Sequence, residues 1–377
     1  MNKHPCLNAT PEQLRQLRQP PATPMLRSAA QAVARDAAEF AGSPEFDWVL
    51  NTHNAHLVRA RRMQARVVTL LVRHFQTGQR IFRDAAVAHI REMGRWEYWS
   101  WITWRQDNPE PKAIFDLSYG ENSMTLAIAY DWLHGQLTAG EKKMMCSIAQ
   151  LRSFDSFLHH TANPAPNKHA WWYGHAQSNW NTVCAGGAGM LALAVYDDLP
   201  CARTVLKRVE RSFVPYMTEL KWTGGAWPEG IGYWNYGMRY AFMYLLSHEN
   251  ATSQPHPLLR QAATRKTLFF PLDFCPGGVP CSFGDVNNWA PMPFHLAMAD
   301  RLGESGLAGE LLQRASRQPF PSSTTWPDAA DYLLLGDVVR RNTPAKSIPR
   351  PKPPYPVARL YKGLDWGILA DRMPNPR

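Results

Sequence analysis

LAIAYDWL at 126–133 and LALAVYDDL at 191–199 are two renderings of one apolar helix end. Each runs small and large apolar residues into a tyrosine and then an aspartate. The tyrosines, Tyr130 and Tyr196, stand 196 − 130 = 66 residues apart. That interval holds one antiparallel helix pair and its loop, so the pattern reads as a hairpin used twice. A lone hairpin cannot bury its apolar face, and hairpins in series stack into a solenoid or close into a toroid. Two unrelated Ala/Leu-rich helices are the competing reading of the same residues.

Outward from this pair the chain stays helical. From His56 to Met93, Leu57, Val58, Val67, Leu70, Leu71, Phe75, Phe82, Val87 and Ile90 recur at helical spacing. Thr77-Gly78 splits them into two helices. Arg59, Arg61, Arg62, Arg66 and Arg73 lie in the first, and such a run reads as a solvated face rather than a ligand surface. RWEYWSWITWRQDNPEP (95–111) reads as a loop between helices. An apolar helix is expected over 123–134, and Thr138 with Glu141 has capping-box spacing for the next, to about His159. Residues 161–181 read as a long loop, a setting that often carries function. Helices are expected over about 186–198 and 201–219. TGGAWPEGIGYWNYG (223–237) reads as a glycine-rich turn into a helix over 235–248, with further helices near 256–269 and 291–315.

The fold expectation is therefore mainly α: hairpins over 1–342 that stack into a solenoid or close into a toroid. A Pro-rich linker follows over 343–357 (TPAKSIPRPKPPYP at its heart), and 358–377 begins a β-domain that this chain does not contain. Within it, 358–361 and 366–370 read as a short β-hairpin, marginal alone in water.

The chain has 377 residues, 45% hydrophobic and 19% charged, which excludes wholesale disorder. Its net charge of +10 favours a polyanionic partner: nucleic acid, an acidic membrane surface or an acidic polysaccharide. Nucleic acid ranks last, since no recognised module is visible. The 15 Trp suit stacking on sugars or bases. No run reaches the ~18 apolar residues of a membrane span. The first residues lack the apolar core of a secretory signal, which reads as cytoplasmic if the start is native. The six cysteines form no CxxC pair, so buried thiols are expected and neither a metal site nor a disulfide frame.

Four clusters carry possible chemistry. In GHAQSNWN (174–181), Asn179 and Asn181 flank Trp180 with His175 nearby; amides can donate to a carboxylate, or one of them can cap the helix. In WPEGIGYWNYGMR (227–239), Trp227, Glu229, Tyr233, Trp234, Tyr236 and Arg239 crowd a glycine-rich loop. A tyrosine there can act as a base if nearby positive charge lowers its pKa, and Arg239 can supply that charge. The alternative is aromatic packing between helices. SYGEN (118–122), with Glu121, and FGDVNNW (283–289), with Asp285, also precede helices. In a ring of hairpins, loops at one end converge, so all four can face one cleft.

DLSYGENSMTLAIAYDWLHGQLTAGEK (116–142), SNWNTVCAGGAGMLALAVYDD (178–198) and GGAWPEGIGYWNYGMRYAF (224–242), in this order, resemble the α-helical domain of the heparinase II/III-like polysaccharide lyases; HPCLNATPEQLRQLR (4–18) resembles its start. The resemblance covers most of 4–340 in broad pattern. It implies an incomplete (α/α) toroid over 1–342 followed by a β-sandwich, cleavage of a uronate-containing polysaccharide by β-elimination without a cofactor, and a periplasmic or secreted location. It also implies roles: Asn179, with Asn181 nearby, holds the substrate carboxylate. Tyr233 or Tyr236 is the base or acid. Trp180, Trp227 and Trp234 are sugar platforms, and Glu121, Glu229, Arg239 and His175 orient polar groups. Trp180 stands where several members carry a histidine. Two other functions fit the sequence: a non-catalytic carbohydrate-binding protein on the same toroid, and an α/α-barrel glycoside hydrolase using two carboxylates from Glu121, Glu229 and Asp285.

Overall fold

A computed structural model of the chain describes residues 1–45, 50–108, 110, 114–162, 168–284, 289–317, 320, 325–343 and 357–370. The chain is mainly helical. Its first elements are α1 (Pro11–Gln16), α2 (Pro24–Phe40), α3 (Ala55–Thr77), α4 (Arg80–Arg95), α5 (Trp101–Arg105) and α6 (Leu117–Leu133). Then come α7 (Ala139–Ile148), α8 (Asp155–Ala162), α9 (Asn179–Ala194), α10 (Ala202–Trp222) and α11 (Gly230–Thr252). Shorter helices follow: α12 (Ala262–Lys266), α13 (Phe270–Asp273), α14 (Pro293–Arg301), α15 (Ser305–Ala315), α16 (Asp328–Leu334) and α17 (Gly336–Asn342). Strands β1 (Val357–Tyr361) and β2 (Trp366–Ala370) pair antiparallel, Val357 opposite Ala370 and Tyr361 opposite Trp366.

The break after Thr77 falls where Gly78 takes a left-handed φ of 71°, and α7 starts on the Thr138–Glu141 capping box, both as expected. Other boundaries moved. Asp116 caps α6 through its bond from the Ser118 N–H, so Ser118–Asn122 are helix rather than a preceding loop. Ser178 caps α9, so Asn179 and Asn181 are its first residues and neither is the cap. α11 starts at Gly230, which turns the expected glycine-rich loop into helix from that point. Residues 291–315 make two helices, divided at Gly303 in a left-handed conformation. The linker core (344–356) lies outside the described residues.

Helices α3, α6, α9 and α11 lie side by side and run the same way. α3 meets α6 at Arg61–Glu121 and, one turn on, at Gln64–Thr125. α9 meets α11 where the Thr182 hydroxyl donates to the Gly237 carbonyl at 2.8 Å, and again at Gly189 beside Tyr244. α6 and α9 touch backbone to backbone: a Cβ on Gly187 would stand 2.6 Å from the Gly120 carbonyl carbon. Only glycine permits this approach. Every residue of α6 is buried, as an all-round apolar helix requires, and so is α9 apart from Trp180. α4 and α10 pack on the flanks as return helices.

The row is curled. Side chains of α11 cross to α6 and α3: Tyr236 reaches Glu121, and Arg239 reaches Gln64. The terminal hairpin is docked on the body by Asp273. Its carboxylate takes two bonds from Arg359 Nη1 (2.7 and 2.6 Å) and one from the Tyr361 hydroxyl (2.6 Å). Trp366 stacks on Phe283 at 4.6 Å. This burial against a larger surface gives the hairpin a stability it lacks alone. Among the described residues, no helix is long and apolar enough to cross a membrane.

Candidate functional site

Because the four helices run in parallel, their first turns gather at one end of the row, with the positive ends of their dipoles. Glu121 sits in the second turn of α6 and is fully buried. A buried carboxylate needs a partner, and two converge on its Oε1: Arg61 Nε at 2.9 Å and the Tyr236 hydroxyl at 2.6 Å. The Arg61 guanidinium also lies over the rings of Tyr236 (4.6 Å) and Trp326 (4.9 Å). Burial opposes its charge, but Glu121 and Tyr236 outweigh burial and hold its pKa above the usual range.

Arg61 is the residue that sequence reasoning misplaced. It was assigned to a solvated face; its side chain is only 21% exposed and forms an internal ion pair. Arg59 and Arg66 likewise lie over rings, those of Trp96 and Phe40. The available signal was Glu121 itself, a carboxylate in a helix apolar on every side, which obliges another element to bring a cation.

Tyr236 is half-buried. Burial first, and the adjacent Glu121 carboxylate second, push its phenol well above the ordinary range, against the opposing pull of Arg61. This corrects the expectation of a lowered pKa: the site holds Tyr236 as a proton donor, not as a ready base. Tyr233 is also half-buried, one turn earlier on α11.

Arg239 is 3% exposed and inward-facing. Its Nη2 donates to Gln64 Oε1 at 2.9 Å and lies 3.6 Å from Asp331 Oδ2, and its guanidinium covers Trp326 at 4.2 Å. With Asn8, Met243, Phe294 and Asp331 it lines a cavity of about 40 Å³. Gln64, Trp326 and Asp331 were not singled out from the sequence, because their meeting depends on α3, α11 and α16 being brought together.

Asn179 is buried at the start of α9, against Gly237 of α11. Its amide nitrogen is committed. Nδ2 donates to both oxygens of Glu229 (2.9 and 3.0 Å), and its backbone N–H donates to Glu229 Oε2 at 2.7 Å. Trp227 Nε1 adds another bond to that oxygen at 3.0 Å. Glu229 thus occupies, as an internal carboxylate, the place expected for a substrate acid, and it pins the α9 start to the turn before α11. Asn181 is also spent: Nδ2 donates to the carbonyls of His175 (2.9 Å) and Ser212 (2.8 Å), and Oδ1 accepts from the Ser212 hydroxyl (3.1 Å). Both asparagines therefore have structural partners in place of the expected ligand.

Trp227 and Trp234 are fully buried, so neither presents a face to a sugar. Trp234 Nε1 donates instead to the Thr267 hydroxyl at 2.8 Å, and the packing reading of that cluster holds for both indoles. Trp180 is half-buried and belongs to an outer aromatic row. Its ring lies 5.9 Å from Trp101 and 5.3 Å from Trp171, which is 46% exposed and meets His175 at 5.7 Å. The row continues to His53, 5.5 Å from Trp101. Asp285 and its neighbours 286–288 lie outside the described residues.

Several buried polar atoms at the α6 and α9 starts have no hydrogen-bond partner among the described residues. They are Ser118 Oγ, Glu121 Oε2, both amide atoms of Asn122, and Asn179 Oδ1. The assembled chemistry is a cation, a protonated phenol and unspent acceptors and donors at one end of a parallel helix row. Searched against protein-family models and against curated proteins, the chain matches none of them.

Proposed function

We propose that the chain is the helical part of a lyase acting on an acidic, uronate-containing polysaccharide by β-elimination, its curled row forming an incomplete (α/α) toroid. The reading rests on one observation above others: Tyr236, kept protonated, beside the Arg61 guanidinium. Arg61 takes the role first given to Asn179 and neutralises the uronate carboxylate, which acidifies the adjacent C5 proton. A base removes that proton, and Tyr233, one turn before Tyr236 on α11, is the candidate in its phenolate form. The electron pair forms the C4–C5 double bond and the C4–O bond breaks. Tyr236 protonates the departing oxygen. The base then returns its proton, through solvent, to Tyr236.

The net charge of +10 suits a polyanion. A hydrolase is less well supported, since Glu229 already accepts bonds from Asn179 and Trp227, and Glu121, with both Arg61 and Tyr236 on one oxygen, serves to hold those two side chains. The specific support for a non-catalytic binder is the aromatic row through Trp180. The test is absorbance of an unsaturated uronate on incubation with alginate, heparan, chondroitin or hyaluronan. Turnover that Tyr236→Phe abolishes while binding persists supports the lyase. Binding without turnover in the parent supports the binder, and neither with any polymer refutes both.

A further inference from the structure

The far end of the helix row holds a second cluster. Asp131 lies near the C-terminal end of α6, fully buried, and the N-terminal segment folds onto it. His4 Nδ1 stands 2.6 Å from Asp131 Oδ1, Cys6 Sγ stands 3.5 Å from the same oxygen, and Sγ and Nδ1 are 3.9 Å apart. Among the described residues, no other trio of His, Cys, Asp or Glu brings its ligand atoms within 4.8 Å of one another. We propose that His4, Cys6 and Asp131 bind a divalent transition metal ion with zinc-like preferences, which staples the N-terminal segment to the ends of α6 and α11.

The donor set is an imidazole, a thiol and a carboxylate, all accepted by zinc. Bond lengths of about 2.0–2.3 Å at tetrahedral angles require donor–donor edges of roughly 3.4–3.6 Å. Of the edges here, 3.5 and 3.9 Å are near that range. Only the 2.6 Å edge is short, because a proton bridges it. Opening it needs His4 to withdraw by about 0.8 Å, taking the ~3.4 Å edge as the target. His4 is the partly exposed member, at 16% of its side chain, so it can move and water can reach a fourth position.

The charges also balance. Thiolate and carboxylate contribute two negative charges against the ion's two positive ones, and the imidazole is neutral, so the buried site carries no net charge. On binding, the Cys6 S–H releases its proton to solvent and sulfur bonds the metal. The His4 proton moves from Nδ1 to Nε2 by exchange with solvent, which keeps the imidazole neutral, and Nδ1 then donates its lone pair to the metal, as Asp131 Oδ1 does. Asp131 is already oriented, since the Cys6 N–H is shared between Oδ1 (2.9 Å) and Oδ2 (3.1 Å) and the Leu7 N–H donates to Oδ2 at 3.0 Å. Such outer bonds fix a ligand's geometry. The segment is also tied to α11: Asn250 Nδ2 donates to the Leu7 carbonyl at 2.6 Å, and the Asn2 N–H to the Ala251 carbonyl at 2.8 Å. His4 and Cys6 are two positions apart but Asp131 is 125 positions from Cys6, which is why spacing along the chain hid the set.

The experiment titrates the full chain with cobalt(II), then zinc(II), in the parent and in Cys6→Ser and His4→Gln. Asp131 is left intact because it also holds the backbone of 6–7, and circular dichroism checks that both variants fold. We expect one equivalent of cobalt to give a thiolate charge-transfer band that zinc bleaches. Cys6→Ser loses the band, and His4→Gln weakens binding by about tenfold or more. Zinc raises the Tm of the parent and not of Cys6→Ser. No band in the parent, or a band that survives Cys6→Ser, overturns the proposal.

Discussion

Gly187→Ala tests the closest seam in the molecule. An alanine Cβ there would stand 2.6 Å from the Gly120 carbonyl carbon and 2.8 Å from its Cα, where ordinary contact begins at 3.4 Å. The Gly120 carbonyl oxygen is nearer still, so the shortfall is at least 3.4 − 2.6 = 0.8 Å; it falls on backbone atoms of α6, and no side chain can turn aside. The two helices must separate along a seam on which every flanking residue is buried. Alanine's better helix propensity returns about 1 kcal/mol. Overpacking costs typically 1–3 kcal/mol, and here, where backbone blocks relief, about 3 kcal/mol or more. The expected net is a destabilisation of about 2 kcal/mol or more, a large share of an ordinary stability of about 5–15 kcal/mol. Urea unfolding followed by circular dichroism measures it. Gly140→Ala, in α7 with nothing within 4 Å of its Cβ, is the control and should be neutral or slightly stabilising. If Gly187→Ala matches the parent in midpoint and slope, α6 and α9 are not in backbone contact and the parallel row is wrong.

Burial first, with Asp328 adding and Arg239 opposing, raises the Asp331 pKa from 3.8 to about 7. The native state then keeps a proton that the unfolded chain has released between those values, so stability falls as pH rises across that window, by at most about 1.4 kcal/mol per pH unit. Asp331→Asn should lose that slope; unfolding curves with the same pH dependence as the parent would contradict it. Asp273→Asn removes the partner shared by Arg359 and Tyr361, and should speed hydrogen exchange over 357–370 while leaving α6 and α9 protected. If the outer aromatic row carries sugar, Trp171→Ala should weaken binding of an acidic oligosaccharide by roughly fivefold, or about 1 kcal/mol. Unchanged affinity by calorimetry would remove the row from the binding surface.

The mainly helical class, the Thr77-Gly78 break, the Thr138 capping box and the terminal hairpin were legible because each depends on residues close in sequence. Helix starts were harder. Ser118–Asn122 and the stretch from Gly230 hold glycine and polar residues that disfavour helix locally, yet both are helical because packing outweighs propensity there. The candidate site was half legible. Glu121 and Tyr236 were named, but their link to Arg61 was not, since pairing between residues some 60 positions apart leaves no local trace. The asparagines invited the opposite error: an amide that suits a foreign carboxylate suits Glu229 equally well.

Arg239 on α11 meets Gln64 on α3 across 175 residues, and Tyr236 meets Glu121 across 115. Neither contact exists until the last helix of the row has emerged and closed onto the first. During synthesis the chain must therefore carry Glu121 and Arg61 without Tyr236 while about a hundred further residues are added, at roughly 5–20 residues per second. A nascent fragment ending before α11 would hold the charged pair but no proton donor. Such contact separation also makes this end of the row among the slowest parts to form.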